Sequence, residues 1–490
     1  MQGPTVTPFP GVFITVVSIY LAGVLYLGWI SSKKALNLNE FFVMGGSAGI
    51  LLGGLGYFAT QYSISTFLGV PGTIYNVGWA GLAVSVPTAA FSMLVPAALV
   101  GNHLVRLGKK HGFLTLPDYF ADRYESKAIR VITAIAIIIF LIPYMGAQTI
   151  GAGTIFNTFT GWPYWVGVCI MGLGVTIYCF MGGIRGAMYT NITQGILMVI
   201  TAVLTFWGAA NLAGGVEAAN KALLAADPKA FTMPGSPRAY MFYPFFLSNV
   251  MLWNLFAVGQ PQLATKFFLM RDRRVLWGAV IASGIGMFLS VIFMYSAAVV
   301  GRVAVPGIPP KMTDWVVPTL VSKSLHPIIG SVLMAGVLAA GMSTIDSVIV
   351  AVSGAFARDL YQQAINPKAD EKTVLNIAKV ATLLVGIAAT LIGIYRPGTI
   401  FQIILFVFGG LGINTILLVL GVRWKRANKY GALSGLIIGL ISVIYFTKNP
   451  ALTKGFHALI PAAIITLIVM VVVSLLTPPP SKEVIEKHFK

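Results

Sequence analysis

The stretch Leu338-Ala339-Ala340-Gly341-Met342-Ser343-Thr344-Ile345-Asp346-Ser347 lies inside an apolar run that begins near residue 328 and ends near residue 358. Asp346 is the only one of the chain's 14 acidic residues that falls within an apolar run. A carboxylate at bilayer depth costs roughly 2.5–3.5 kcal/mol on insertion scales, so it usually marks an ion or proton path. Helical spacing puts Ser343, Asp346 and Ser347 on one face, with Thr344 beside them. Such hard oxygen ligands predict a site for a small cation. The alternative is that the hydroxyls bond back to carbonyls one turn earlier and the carboxyl stays neutral.

The composition is that of a membrane protein. The chain has 490 residues, of which 57% are hydrophobic and 10% charged, and its mean hydropathy is +0.85. The charges fall in short connections between apolar runs of about 20 residues, the length that crosses a bilayer as a helix. The net charge is +19, and the basic residues behind it are alternately dense and sparse from one loop to the next. This alternation indicates membrane topology and argues against nucleic-acid binding. Cys169 and Cys179 share one run, about 15 Å apart along a helix, too far for a disulfide.

The apolar runs predict thirteen spans. We number them span 1 to span 13, at about 11–31, 49–72, 79–105, 128–156, 161–181, 187–213, 240–263, 275–300, 327–357, 374–395, 400–421, 430–447 and 457–477. With the N-terminus outside, 24 of the 33 Lys and Arg residues fall on the cytoplasmic side. This asymmetry predicts a multi-pass protein of the plasma (inner) membrane with a cytoplasmic C-terminal tail at 478–490. We call this predicted cytoplasmic face the inner face.

Spans 2 and 7 are heavily punctuated, and they lie five spans apart. Span 2 contains Gly53–Gly56, the polar run Thr60–Ser65, and Gly69–Gly72, and span 7 contains Asn249, Trp253, Asn254 and Gly259–Gln262. Interrupted segments at matching positions of two halves indicate a transporter binding site, because unwound backbone at bilayer depth must line a cavity or be buried. The alternative is that Gly and Pro only permit close helix packing. Five polar residues among the six from Thr60 to Ser65 favour the binding site.

Several motifs make the chain resemble a known family. They are Asn39–Phe42, Ser63 with Phe67–Gly72, Gly182–Arg185 with Gln194-Gly195, Gly259–Pro261, Met342–Thr344, Phe408–Leu411, and Arg426–Asn428 with Gly431–Gly435. Through them the chain resembles the sodium/solute symporter family, and its bacterial sodium/pantothenate symporters in particular. The resemblance implies an all-α polytopic fold of about 13 transmembrane helices with the five-plus-five inverted repeat of the leucine transporter. The repeats would be 49–213 and 240–421, with an extra helix at 11–31 and two more at 430–477.

The resemblance also implies site residues. The family's shared sodium site maps here to the carbonyls of Ala59 and Tyr62, with Ala340, Ser343 and Thr344 opposite. Some members bind a second sodium through an Asp near the start of span 6, and that position is Asn191 here. Asp346 stands where pantothenate-type members carry a neutral residue. Relative to those members, the carboxylate lies on span 9 instead of span 6. Asn191, Asp346 and Ser347 are therefore expected to form a second cation site or a proton site.

The function implied by the resemblance is sodium-coupled import of a small organic solute by alternating access. The solute is expected to be an organic carboxylate such as pantothenate, and the alternative is a short monocarboxylate or an amino acid such as proline. The negative charge of such a solute would be balanced by sodium and by the N-terminal amides of the broken helices. For each candidate contact, a structural hydrogen bond between helices is an equally good interpretation. The candidates are Thr60, Gln61, Ser63 and Ser65 in span 2, Tyr144 and Gln148 in span 4, and Asn249, Trp253 and Gln260 in span 7.

Two other classes of membrane protein fit the sequence poorly. A channel would carry repeated rings of filter residues, whereas the polar residues here cluster once and asymmetrically. An enzyme would need a nucleophile with a base or a cluster of metal ligands, and the five His residues are scattered over connections and span ends. One chain is expected to suffice for transport, with the oligomeric state left open.

Overall fold

The computed structural model describes residues 8–32, 47–233, 235–236 and 243–489, and these residues form helices without a named β-strand. Ten helices in this part of the chain are long and apolar enough to cross a bilayer, and they correspond to spans 3–6 and 8–13. They are Ala80–His111, Lys127–Thr160, Tyr164–Met181, Asn191–Leu212, Arg273–Ala304, Pro327–Ile365, Glu371–Tyr395, Ile400–Arg423, Lys429–Lys448 and Leu459–Leu476. Span 1 is the helix Pro10–Ser32. The prediction of an all-α polytopic protein is confirmed.

Span 2 is broken at the predicted polar run. Its first helix is Ile50–Gln61, and a π-helical turn at Ser65–Gly69 leads into a second helix, Val70–Val77. Side chains satisfy the amides that the break releases. The Ile64 N–H donates to Gln148 Oε1 at 3.0 Å, and the Ser65 N–H donates to Ser63 Oγ at 3.1 Å. The unwound backbone is therefore held in place by hydrogen bonds, as burial in a bilayer requires.

Span 7 is broken in the same way, at Gly259. The helix Tyr243–Asn254 passes through a 3₁₀ turn at Phe256–Gly259 to the helix Pro261–Leu269. Thr415 Oγ1 accepts from the Gly259 N–H at 3.0 Å and donates to the Phe256 carbonyl at 3.1 Å. Span 11 is interrupted too, between the helices Ile400–Leu411 and Asn414–Arg423. This interruption positions Thr415 beside the break in span 7.

The two broken spans run in opposite directions. Ala48, just before span 2, pairs with the end of span 7 through two backbone hydrogen bonds. The Ala48 N–H donates to the Leu269 carbonyl at 2.9 Å, and the Arg271 N–H donates to the Ala48 carbonyl at 3.2 Å. Span 2 therefore begins on the inner face, where span 7 ends. This is the antiparallel relation that an inverted repeat requires, while the repeat boundaries stay a prediction.

Spans 5 and 6 belong to one helical segment, Tyr164–Leu212, whose contacts show that the chain crosses twice. The Tyr164 hydroxyl donates to the Gly393 carbonyl at 2.9 Å, and Gly208 lies beside Ser324 and Leu325. Gly393 is close to Arg396 in the sequence, and Ser324 lies in the same connection as Asp314. Arg396 and Asp314 form an ion pair of 3.0 Å, so both ends of the segment lie near the outer connections. The side chains of 182–190, including the motif Gly182–Arg185, lie outside the described residues, as does the motif Asn39–Phe42.

The predicted end of span 9 is wrong. Span 9 was predicted to end near residue 357, but the helix Pro327–Gly354 continues as a π-helix, Ala355–Ile365. The span 9 helix therefore carries a second buried carboxylate, Asp359, besides Asp346. Asp359 accepts from Thr115 Oγ1 at 2.9 Å and lies 3.4 Å from Arg130. These partners stabilise the continued helix. They are far from Asp359 in the sequence, so a local pattern could not reveal them.

Candidate ion and substrate site

The hydroxyls of Ser343 and Thr344 meet the broken backbone of span 2. Ser343 Oγ donates to the Ala59 carbonyl at 2.7 Å and to the Ala340 carbonyl at 2.9 Å. Thr344 Oγ1 lies 3.4 Å from the Thr60 carbonyl and 3.2 Å from the Ala340 carbonyl. The residues of this cluster are fully buried. Carbonyl and hydroxyl oxygens gathered at such distances, away from solvent, form a cage suited to a small hard cation.

Tyr62, the remaining predicted ligand, ends the first helix of span 2. Its backbone is extended, with φ of −96° and ψ of 112°, so its carbonyl turns away from the helical direction. Thr344 is hydrogen-bonded to the Thr60 carbonyl rather than to that of Tyr62. The structure thus brings together Ala59, Ala340, Ser343 and Thr344, and it adds the carbonyl of Thr60.

The alternative of simple back-bonding explains only part of this geometry. Thr344 does bond to the Ala340 carbonyl, and Ser347 Oγ donates to the Ser343 carbonyl at 3.1 Å. However, Ser343 also reaches across to span 2, and Ser347 Oγ lies 3.0 Å from Thr60 Oγ1. Contacts between two spans are what a shared ion site requires and what back-bonding alone does not predict.

Asp346 has surroundings that differ from those of its neighbours. The Cys179 thiol donates to Asp346 Oδ1 at 3.4 Å, and Oδ2 is buried without a hydrogen-bond partner among the described residues. Ser347 is directed at Thr60 and Ser343, so its hydroxyl belongs to the first cluster. Asn191 lies buried near the start of span 6. Cys179 on span 5 is a neighbour that sequence reasoning missed, because a lone cysteine in an apolar run carries no pattern.

A cavity opens on the outer side of the span 2 break. It encloses about 670 Å³ of empty space, open solvent at its mouth included. Four of the predicted substrate residues, Gln61, Ser65, Asn249 and Trp253, line it. The other lining residues are Tyr62, Thr66, Val70, Thr73, Ile74, Val84, Ser85, Thr88, Ser92, Val291, Tyr295 and Phe401. None of the lining residues is charged, and many carry a hydroxyl or an amide.

Five predicted substrate residues do not line this cavity. Thr60 bonds to the Gly56 carbonyl and to Ser347, Ser63 bonds to Ser65, and Gln148 supports the amide of Ile64. Tyr144 packs its ring against Phe408, and its carbonyl accepts from Gln148 at 3.3 Å. Four of the five therefore make contacts within the protein, of the kind that the alternative interpretation expects.

Gln260 is the fifth of these residues, and it is different. Its side chain is fully buried, and neither end of its amide has a hydrogen-bond partner among the described residues. Gln61 Oε1, in the cavity wall, is likewise buried without a hydrogen-bond partner among the described residues. Unsatisfied buried polar groups are costly and are typical of functional sites.

A smaller cavity lies on the inner side of the ion cluster. Ser347, Val350, Thr115 and Lys266 are among its lining residues, and its empty space is about 390 Å³. Tyr62 lines the outer cavity and Ser347 lines this one, so the cluster of Ser343 and Thr344 lies between the two.

The cavity wall makes a labelling prediction. In a background with Cys169 and Cys179 replaced by Ser, we expect Thr88→Cys and Asn249→Cys to react with a small polar thiol reagent. Ser63→Cys should stay unreactive, because that side chain is fully buried and does not line the cavity. Labelling followed by mass spectrometry measures this. Reaction at Ser63→Cys with no reaction at the other two positions would show that the cavity lies on the opposite face of span 2 from the one described.

Comparison with known proteins decides the family. The model of the sodium:solute symporter family matches residues 41–439, most of the chain. The chain belongs to the sodium:solute symporter family. Among its relatives, the sodium/pantothenate symporter of Haemophilus influenzae is 30% identical over 455 residues, which cover 92% of each chain. The osmoregulated proline transporter OpuE of Bacillus subtilis is 26% identical over 484 residues, 95% of each chain.

A solved structure supports the fold of this symporter. A Na⁺-coupled sialic acid symporter in a substrate-bound outward-open state superposes with a TM-score of 0.82 at 20% identity, covering 96% of this chain and 99% of that one. The predicted leucine-transporter type of fold is thereby confirmed. The symporter is a multi-pass inner-membrane protein that couples solute transport to sodium, and it is a transporter rather than an enzyme. Sodium is its co-transported ion.

Proposed function

We propose that this symporter imports a small organic carboxylate, with pantothenate as the first candidate. The observation that carries the proposal is the uncharged, hydroxyl- and amide-rich cavity beside the span 2 break. Pantothenate offers hydroxyls and an amide that such walls can bind. Its carboxylate would be met by sodium and by backbone amides at the break, because the wall holds no cationic side chain.

The relatives support a carboxylate without choosing one. The Haemophilus influenzae protein is named for pantothenate, and OpuE is named for proline. Proline is the second candidate, and a short monocarboxylate is the third. No acidic side chain lines the cavity, so the cationic amine of proline would depend on carbonyl and hydroxyl oxygens alone. This favours a solute that has a carboxylate and no amine.

Competition in sealed vesicles tests the choice of solute. Purified protein would be reconstituted, given an inward sodium gradient, and supplied with labelled pantothenate. We expect accumulation above the outside concentration that excess unlabelled pantothenate abolishes, with little effect from proline, lactate or pyruvate. Accumulation of labelled proline, together with no uptake of pantothenate, would overturn the proposal.

The proposed sodium site consists of the carbonyls of Ala59, Tyr62 and Ala340 with the hydroxyls of Ser343 and Thr344. The Ser343 and Thr344 contacts across spans 2 and 9 support it. We further propose that the N-terminus lies outside and the C-terminus in the cytoplasm, supported by the distribution of Lys and Arg over the loops.

We also propose that Asp346 carries a second coupled charge, with Asn191 as a further candidate for this site, while the Ser347 hydroxyl is directed at the first cluster. Its support is a buried carboxyl oxygen without a hydrogen-bond partner among the described residues. If this charge is a sodium ion, Asp346→Asn should make the sodium dependence of uptake less steep. If it is a proton, the same variant should lose pH dependence and keep its sodium steepness. Unchanged sodium and pH dependence would mean that Asp346 is structural.

A double variant sharpens this test. Asn191→Asp combined with Asp346→Asn moves the carboxylate back to span 6, the arrangement implied for pantothenate-type members. We expect the double variant to recover more uptake than Asp346→Asn alone, because the site regains one negative charge. Asn191→Asp alone is the matched control. It places two carboxylates in the site and should transport less than the double variant. If the double variant is no better than Asp346→Asn, the two positions do not share a site.

A further inference from the structure

A basic cavity lies at the inner ends of spans 3, 8 and 11, away from the ion and substrate sites. Arg106, Arg273 and Arg423 line it, one from each span, together with Asn102 and His103. No acidic side chain is among its lining residues, and the empty space, open solvent included, is about 960 Å³. Three guanidinium groups around one space favour an anionic group such as a phosphate, which arginine commonly recognises in proteins.

The local backbone explains how this cavity is built. Pro96 in span 3 is followed by a π-helical turn, Ala97–Gly101, which disturbs the regular helical hydrogen bonds. The Ala98 carbonyl there accepts from Arg423 Nη2 at 2.5 Å, and the Leu99 carbonyl accepts from Arg423 Nε at 2.8 Å. These bonds hold the Arg423 guanidinium in the cavity wall.

Asp272, which precedes Arg273 in the sequence, is engaged by other groups. Asp272 caps the span 8 helix by accepting from the Val275 N–H at 2.9 Å, and it lies 3.1 Å from Arg271. Its charge is therefore balanced by Arg271, beside Arg273 in sequence but not part of the cavity wall. Asp272 itself is not among the groups that line the cavity.

An apolar groove runs into the membrane between two of the same spans. Ala90 and Leu94 of span 3 face Val280, Ile281, Gly284, Ile285, Phe288 and Leu289 of span 8. At 1.5 Å per residue, this part of span 8 lies about 10–24 Å from Arg273 along the helix. Ile281 is 65% exposed and Ile285 is 58% exposed, and a Cβ added at Gly284 would meet nothing within 4 Å. The groove therefore has room for an acyl chain.

We propose that spans 3, 8 and 11 bind one anionic phospholipid. Its phosphate lies in the basic cavity against Arg106, Arg273 and Arg423, and an acyl chain lies in the groove beside Gly284. Charge complementarity selects the headgroup, since basic pockets between membrane helices bind anionic lipid headgroups. The presence of the cavity and the groove on the same two spans, 3 and 8, selects a lipid over a soluble phosphate.

Lipid binding to purified protein tests this. Native mass spectrometry in detergent would compare phosphatidylglycerol with phosphatidylcholine of the same acyl chains. We expect wild-type protein to bind phosphatidylglycerol selectively. Arg106→Gln with Arg273→Gln should weaken that binding about twenty-five-fold, taking about fivefold for each basic residue near an anionic lipid. The matched control, Lys109→Gln with Arg274→Gln, removes the same charge from neighbouring exposed positions outside the cavity wall, so it should change binding less than about twofold.

Two further measurements keep the proposal falsifiable. Gly284→Leu fills the groove, so it should weaken phosphatidylglycerol binding while the melting temperature stays near that of wild type. Arg273→Gln alone, which leaves the Arg106 contact with the His488 carbonyl intact, should show about a fivefold loss even if the double variant unfolds. Equal losses in the matched control would reduce the effect to general surface charge and overturn the proposal. Displacement of the lipid by inorganic phosphate, with no effect of Gly284→Leu, would also overturn it.

Discussion

Replacing Ser343 and Thr344 together with Ala should raise the sodium concentration for half-maximal uptake by about a hundredfold. The two hydroxyls are fully buried and point at the carbonyls of Ala59, Thr60 and Ala340. Polar contacts to a charged group contribute about 1.5 kcal/mol each at the lower end, and two such losses correspond to about two powers of ten. Uptake by vesicles at increasing sodium concentration measures the change.

Ser353→Ala is the matched control. Ser353 is buried on the same span, but its hydroxyl donates only to the Val350 carbonyl of its own helix, at 3.3 Å. This variant should keep wild-type sodium dependence. Melting temperatures of both proteins would show that the double variant is folded. Wild-type sodium dependence in Ser343→Ala/Thr344→Ala would remove these residues from the ion site.

Gly259→Ala should lower uptake to below about a tenth of wild type. A Cβ at this position would lie 2.4 Å from the backbone nitrogen of Thr415 and 2.6 Å from its Oγ1. Backbone at that distance cannot yield as a flexible side chain can, so spans 7 and 11 must separate. Overpacking of this kind typically costs 1–3 kcal/mol. The hydrogen bonds of Thr415 to Gly259 and Phe256, which hold the break in span 7, would be strained as well.

Gly174→Ala is the control for this substitution. Gly174 also lies within a helical span, and a Cβ there would meet nothing within 4 Å. It should therefore transport like wild type. Initial rates of uptake, normalised to the amount of folded protein, compare the two variants. Wild-type rates for Gly259→Ala would show that the close approach of spans 7 and 11 is not needed for transport.

The breaks in spans 2 and 7 could be predicted from the sequence because their signals are local. Gly259-Gln260-Pro261 interrupts an apolar run, and so does the polar run Thr60–Ser65. Both breaks lie where the sequence indicated. The partners that stabilise them could not be predicted in the same way. Thr415 lies 156 residues from Gly259 in the chain, and a single threonine in an apolar helix carries no pattern.

The roles of individual polar residues were harder to predict than their positions. Gln148 was a substrate candidate, yet its side-chain oxygen accepts from the Ile64 N–H. Thr88 and Tyr295 were not candidates, yet both line the cavity. Periodicity identifies which helices carry polar groups, but the rotation of each helix depends on tertiary packing. Asp359 shows the same limit, because the Arg130 contact that keeps it in a helix lies in another part of the chain.

The coupling of solute flux to sodium flux tests the central claim most directly. Vesicles containing the purified symporter would be loaded without sodium, and entry of labelled sodium would be followed before and after addition of pantothenate. The site between spans 2 and 9 predicts sodium entry that starts with the solute, saturates with it, and is lost in Ser343→Ala/Thr344→Ala. Pantothenate entry without accompanying sodium, in wild-type protein, would contradict sodium-coupled symport through this site.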